Sequence, residues 1–131
     1  MARVLIAEDN PSVAKFYRLA LERVGGFEVT CTEDVDEILS HVREGNVEIA
    51  ILDVSLRNSR HNGRHIDGLE LARLIRDTPE GKELPLLLAT ASAMEGDRQR
   101  LMAASGANDY LAKPIYDPKV LVEKVRELIA R

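Results

Sequence analysis

The chain is poor in the residues that most often announce a chemistry. Among 131 residues there is one cysteine, no tryptophan and an aromatic content of 4%. A single cysteine excludes an internal disulfide, and Cys31, in the alternating pattern Phe27, Val29, Cys31, reads as a small buried hydrophobe. No apolar run approaches the roughly 20 residues of a membrane-spanning helix. Val4 to Ala7, after Met-Ala-Arg, is too short for the apolar part of a signal peptide, so a cytoplasmic protein is expected. Positive charge is not in excess either: a net charge of −4 gives no general attraction to nucleic acid or to an anionic membrane. Linkers, low-complexity tracts and internal repeats are absent, and 45% hydrophobic content over this length predicts one globular domain, residues 1–131, around one core.

What is present is alternation. Strand-like apolar runs alternate with helix-like periods, the pattern of βαβ units around a parallel sheet covered on both faces. Asn10 and Pro11 suit the start of a first helix carrying Val13, Phe16, Tyr17, Ala20, Leu21 and Val24, which Gly25-Gly26 ends. A second strand covers about 27–31, and a second helix places Val35, Ile38, Leu39 and Val42 on one face before Gly45. His41 on that helix is expected to be exposed. The third strand ends at Leu52, and the third helix starts near Asp67. The fourth strand runs over about 84–90, and a weakly apolar fourth helix over roughly Glu95 to Ser105. A fifth strand precedes Lys113-Pro114, and a fifth helix starts at Asp117 or Pro118. The expected fold is α/β, a doubly wound five-stranded parallel sheet of flavodoxin-like order 2-1-3-4-5.

Four polar positions stand where apolar runs end: Glu8-Asp9, Asp53, Thr90 and Lys113. In such sheets ligands bind beyond the carboxyl ends of the strands, where the strand order reverses. With the first and third strands adjacent, Asp9 and Asp53 face each other across that point. Three carboxylates, a hydroxyl and an ammonium in one crevice suit a divalent cation and a phosphoryl group. Mg²⁺ takes oxygen ligands and keeps several waters, so a few carboxylates suffice. Phosphoryl transfer needs positioning and charge neutralisation more than covalent chemistry. Taken singly, each residue has a plainer reading: a helix start, a turn aspartate, a strand threonine, a solvated lysine. Carboxylates this crowded should strain the metal-free protein and raise at least one pKa of the acidic pair.

The ordered set of motifs resembles the response-regulator receiver domain, the phosphoacceptor half of two-component signalling. The resemblance runs over the whole chain: the acidic pair in LIAEDN, Asp53 in AILDVSL, DGLEL from Asp67 to Leu71, Thr90 in LLLATAS, Tyr110 in GANDYLAKP, and Lys113-Pro114. It implies that Asp53 takes a phosphoryl group from a phosphohistidine of a histidine kinase or phosphotransfer protein. It implies further that Asp9 binds Mg²⁺ directly, with Glu8 acting through water, and that the backbone carbonyl of Ser55 is another ligand. Thr90 would donate its hydroxyl to the phosphoryl group and Lys113 would neutralise it, after a cis Lys113–Pro114 peptide. Thr90 and Tyr110 would act as a switch that changes the face of helix four, strand five and helix five toward a downstream protein. Ser55 and Ser92, two residues beyond Asp53 and Thr90, lie where they could guide or block an attacking water. Asp109, Lys124 and Arg126 offer salt links across a possible homodimer.

The chain departs from the family after Asp53. Receivers usually carry a proline four residues after the phosphoacceptor; here that residue is Arg57, and Asn58 to Ile66 lengthens the loop by about seven residues. The expectation is a flexible, polar surface excursion. The alternative is that Arg57, Arg60, Arg64, His61 and His65 flank the acidic pocket. A metal site at His61 and His65 lacks a third ligand. Three functions fit the whole: a phosphorylatable receiver that is not itself an enzyme, a non-phosphorylated interaction module, or a hydrolase with an aspartyl-phosphate intermediate. The four polar positions disfavour the second, and the lack of a second acid–base carboxylate disfavours the third. Asn10-Pro11-Ser12 offers no glycine-rich cradle for a flavin phosphate.

Overall fold

Runs of Val, Leu and Ile long enough to be buried on both faces become the central sheet. The computed structural model describes residues 2–91 and 97–131. Its elements are β1 (Arg3–Ala7), α1 (Pro11–Leu19), β2 (Glu28–Cys31), α2 (Val35–Arg43), β3 (Ile49–Asp53), β4 (Arg60–His61), β5 (Arg64–His65), α3 (Gly68–Arg76), β6 (Leu86–Thr90), α4 (Asp97–Ser105), β7 (Asp109–Ala112) and α5 (Pro118–Ile129). The parallel sheet has the order β2-β1-β3-β6-β7, with β4 and β5 in a hairpin of their own. Without that hairpin this is the expected order 2-1-3-4-5.

The period of two in each strand divides the core into two layers. Leu5, Ala7, Ala50, Leu52, Leu86 and Leu88 pack with residues of α2, α3 and α4, among them Ile38, Leu71, Ile75 and Leu101. Val4, Ile6, Ile49, Ile51 and Leu87 pack on the other face with Tyr17 of α1 and Leu121, Val122, Val125 and Leu128 of α5. Each fully buried leucine or isoleucine here contributes about 1.5–3 kcal/mol over its exposed state.

Helix starts follow the capping residues. Asn10 Oδ1 accepts from the amides of Ser12 and Val13, Asp34 from Glu37, Asp67 from Glu70 and Asp117 from Lys119.

Several expectations are refined. The first helix does not continue as α to Val24: after Leu19 it widens into a π-helical turn, Ala20–Val24, with the Gly25 amide donating to Ala20 O at 3.2 Å. Cys31 is half-buried at the core's edge, and burial raises its thiol pKa. His41 is half-buried too, 3.9 Å from Glu37. Among the described residues the fourth helix covers Asp97–Ser105, and its expected start at Glu95 lies outside them.

Candidate functional site

Strand register brings the acidic residues together. Ala7 pairs with Leu52, so the chain leaving β1 carries Glu8 and Asp9 alongside Asp53, the last residue of β3. Thr90 pairs with Ala112, and Lys113 is the next residue. Oxygen atoms of Glu8, Asp9 and Asp53 all lie within 4.8 Å of one another. Lys113 Nζ donates to Glu8 Oε1 at 2.8 Å and stands 3.5 Å from Asp53 Oδ1. The Lys113–Pro114 peptide is cis. Glu8, Asp9, Asp53 and Lys113, with Asn10, Ser55, Arg57, Asn58 and Ala91, line an open pocket of about 520 Å³.

Each carboxylate is held. Glu8 Oε2 accepts from the Asn10 amide at 3.2 Å, Asp53 Oδ1 from the Ser55 amide at 3.1 Å, and Asp9 Oδ2 from the Arg57 amide at 2.7 Å. Burial pushes the Glu8 carboxyl above the ordinary carboxylate range; Asp53 adds to the rise, while Lys113 and the Asn10 amide oppose it. Burial alone would lower the Lys113 pKa, but Glu8 and Asp53 outweigh it and hold the ammonium charged. The donors are hard oxygens, close together, and open to the pocket on one side, a set that fits Mg²⁺.

Magnitudes decide what this crowding does to stability. At an effective dielectric near 20, two carboxylates about 5 Å apart repel by roughly 3 kcal/mol, and an ammonium about 3.5 Å away attracts by roughly 5 kcal/mol. Neutralising Asp53 removes two repulsions and one attraction, whereas neutralising Asp9 removes two repulsions and no ion pair among the described residues. After screening, Asp53→Asn should raise the metal-free melting temperature by about 3 °C and Asp9→Asn by about 6 °C. Scanning calorimetry in EDTA checks this; a fall in both variants would contradict a repulsive cluster.

Thr90 is buried at the end of β6, and its carbonyl accepts the Lys113 amide at 2.8 Å. Tyr110, half-buried in β7, packs against the α2–α4 side of the core, with the Arg98 guanidinium 5.9 Å from its ring centre. Ser92 lies outside the described residues. Asp109 is buried and pairs with Lys124 and Arg98, each at 2.7 Å. Burial would raise its pKa, but Lys124, the Tyr110 amide and Arg98 together hold it below the ordinary range. Arg126 donates to Gly25 O at 3.4 Å. Asp109 is satisfied within the chain because α4 and α5 flank β7 closely enough to reach it.

The segment after Asp53 is a hairpin, not an irregular excursion. Asn62 and Gly63 both have positive φ, 54° and 79°, as a two-residue type I′ turn requires. The Asn-Gly pair was the signal in the sequence. His61 pairs with Arg64 and Arg60 with His65. Successive residues alternate faces, so His61 and His65 point to opposite sides and cannot share a metal ion. Of the basic residues in this segment, Arg57 alone lines the pocket; Arg64 pairs with Glu70 at 2.9 Å. The contribution that sequence reading missed is the Arg57 amide on Asp9.

The fold and this geometry agree with what is known of related proteins. The family model for the response regulator receiver domain matches residues 4–126. The chain is 30% identical to the polar-differentiation response regulator DivK of Brucella ovis over 118 residues, 90% of this chain and 89% of that protein. It is 34% identical to the sensor kinase/phosphatase CqsS of Vibrio cholerae over 94% of this chain, which spans only 17% of that protein's length. Among solved structures, a response regulator from Chloroflexus aurantiacus superposes with TM-score 0.82 at 35% identity, covering 99% of this chain and 98% of that one. The receiver domain of a Pseudomonas aeruginosa sensor histidine kinase, solved with a magnesium ion coordinated in its active-site cleft, superposes with TM-score 0.81 at 27% identity, covering 99% and 98%. The chain belongs to the response regulator receiver domain family of two-component signalling. Among the described residues no helix is long and apolar enough to cross a membrane.

Proposed function

We infer that the chain is a cytoplasmic phosphoacceptor that takes a phosphoryl group on Asp53 and works by changing shape rather than by turning over a substrate as an enzyme. The observation that carries this is the convergence of Glu8, Asp9 and Asp53 within 4.8 Å, with the Lys113 ammonium 3.5 Å from Asp53.

Asp9 and Asp53 would hold Mg²⁺ with the Ser55 backbone carbonyl. Glu8, both of whose oxygens are engaged by Lys113 and Asn10, would act through water. The bound ion would supply positive charge to the phosphoryl oxygens. An Asp53 carboxylate oxygen attacks phosphorus in line, the P–N bond to the donor histidine breaks, and that imidazole leaves with its electron pair and picks up a proton. Lys113, already charged and aimed inward, compensates the added negative charge. The Thr90 hydroxyl then binds a phosphoryl oxygen, and Tyr110 follows it, altering the surface of α4, β7 and α5 that a downstream protein reads. The donor is a histidine kinase or phosphotransfer protein.

Incubation with acetyl phosphate and MgCl₂ tests the reading. Intact-mass spectrometry should show one added phosphoryl group, labile to hydroxylamine, absent in EDTA and absent in Asp53→Asn. An unmodified wild-type chain at saturating donor would refute it.

A further inference from the structure

The Leu56–Arg57 peptide is gripped at both of its polar atoms. Its N–H donates to Asp9 Oδ2 at 2.7 Å, and its carbonyl accepts from His65 Nε2 at 3.0 Å. A carbonyl has no proton to give, so Nε2 must carry the hydrogen. The result is a directed chain: His65 Nε2–H to Leu56 O, then Arg57 N–H to the Asp9 carboxylate. Resonance within the amide couples the two ends, because a donor on the oxygen makes the N–H a stronger donor. The hairpin fixes the origin of the chain. Arg60 pairs with His65, the Ile66 amide donates to Ser59 O at 3.0 Å, and Ser59 Oγ donates to Glu33 O at 2.7 Å. Leu56 and Ile66 are buried, 2% and 1% exposed, and pin the segment at both ends.

We propose that His65 and the Leu56–Arg57 peptide form a hydrogen-bonded relay that holds Asp9 in its metal-binding pose, so that the hairpin sets the Mg²⁺ affinity of the chain. The proposal rests on the reading of Glu8, Asp9 and Asp53 as a Mg²⁺ site. His65 acts through the peptide and is a positioning residue. A proline at position 57 has no N–H and could not make the bond to Asp9. A carboxylate already held loses less freedom when it binds, and donors that support metal ligands are worth about 10–100-fold in affinity.

Isothermal titration of the whole chain with MgCl₂ tests this, with thermal melts as a folding control. His65→Ala should weaken Mg²⁺ binding about 5-fold and Arg57→Pro about 10-fold. His65→Gln should recover most of the loss, since its amide nitrogen can reach the place of Nε2. Arg64→Ala, on the other face of the same hairpin and paired with Glu70, should bind like wild type. In the metal-free protein, the Arg57 amide proton should resonate downfield and exchange slowly, and should move upfield in His65→Ala. Unchanged Mg²⁺ affinity in His65→Ala overturns the relay, as does an equal loss in His65→Gln and Arg64→Ala. Absence of Mg²⁺ binding by wild type overturns the reading of the site and the relay with it, a result distinct from binding that all variants share. If Arg57→Pro fails to fold, the His65→Ala and His65→Gln pair decides.

Discussion

Replacing Gly68 with alanine should lower stability by about 3 kcal/mol, bring the melting temperature down by roughly 10 °C, and slow phosphorylation of Asp53 at least tenfold. Gly68 is the first residue of α3 and is buried. A Cβ built there would lie 2.1 Å from Asp53 O, 2.7 Å from Asp53 C and 2.8 Å from Val54 Cα. All three are backbone atoms, so no side chain can swing aside. Meanwhile the Gly68 amide donates to Val54 O at 3.0 Å and keeps the two segments together. Two effects favour the alanine, its better helix propensity and the smaller entropy of the unfolded chain, each worth up to about 1 kcal/mol. Overlap with a fixed backbone is larger than their sum, and relief has to come from moving the end of β3, where Asp53 sits. Gly45→Ala provides the contrast. Its φ of +70° costs about 1–2 kcal/mol, but nothing lies within 4 Å of the added carbon, so the phosphorylation rate should stay at the wild-type value. Urea unfolding and acetyl phosphate labelling of the two variants separate a displaced site from a merely strained turn. Equal labelling rates in Gly68→Ala and Gly45→Ala would show that α3 does not set the position of Asp53.

How far the sequence could be read follows from which interactions are periodic. The strands of the sheet were legible as short apolar or alternating runs, and α1, α2, α3 and α5 because capping residues precede 3.6-residue periods, whereas α4 has little apolar periodicity. The carboxylate cluster was legible because polar residues at the ends of such runs must meet once the strand order is known. What could not be read depends on single geometries. The π-helical turn differs from an α-helix by one residue in its hydrogen bonding, and apolar spacing does not resolve that. The pairing of Asp109 with Lys124 and Arg98 uses side chains on three elements, and their charges alone fit a link between chains equally well. The bond from Arg57 to Asp9 is made by a backbone amide, which every residue except proline offers, so only the departure from proline at that position hinted at it. The hairpin is different: Asn62-Gly63 carried the turn signal, but the strands it joins are two residues each, too short to show any alternation.

Arg76→Ala should destabilise the protein by about 3 kcal/mol while leaving the chemistry of the folded fraction untouched. Arg76 lies in the last turn of α3, near the end of the sheet opposite the acidic pocket. Its guanidinium donates to Gly81 O at 2.8 Å, Leu84 O at 2.6 Å, Gly106 O at 2.9 Å and Asn108 Oδ1 at 3.0 Å. Asn108 Oδ1 also accepts the Leu86 amide at 2.8 Å, so one side chain ties α3 to the loops entering β6 and β7. Burial lowers the Arg76 pKa, yet arginine stays protonated throughout the physiological range. Truncation takes an N–H donor from each of three carbonyls and leaves the Asn108 amide oxygen with the Leu86 amide alone. Bonds from a charged donor are worth about 1.5–3 kcal/mol each, but water reaches the half-exposed rim and the losses do not add, which brings the sum down to the stated figure. Lysine should rescue little, because one ammonium cannot span acceptors arranged for a planar fork. Urea denaturation should therefore show Arg76→Ala and Arg76→Lys both shifted to a lower midpoint with an unchanged slope. Under native conditions both should accept phosphate from acetyl phosphate at the wild-type rate. A lysine variant as stable as wild type would mean that charge alone, and not the fork, holds the lower loops together.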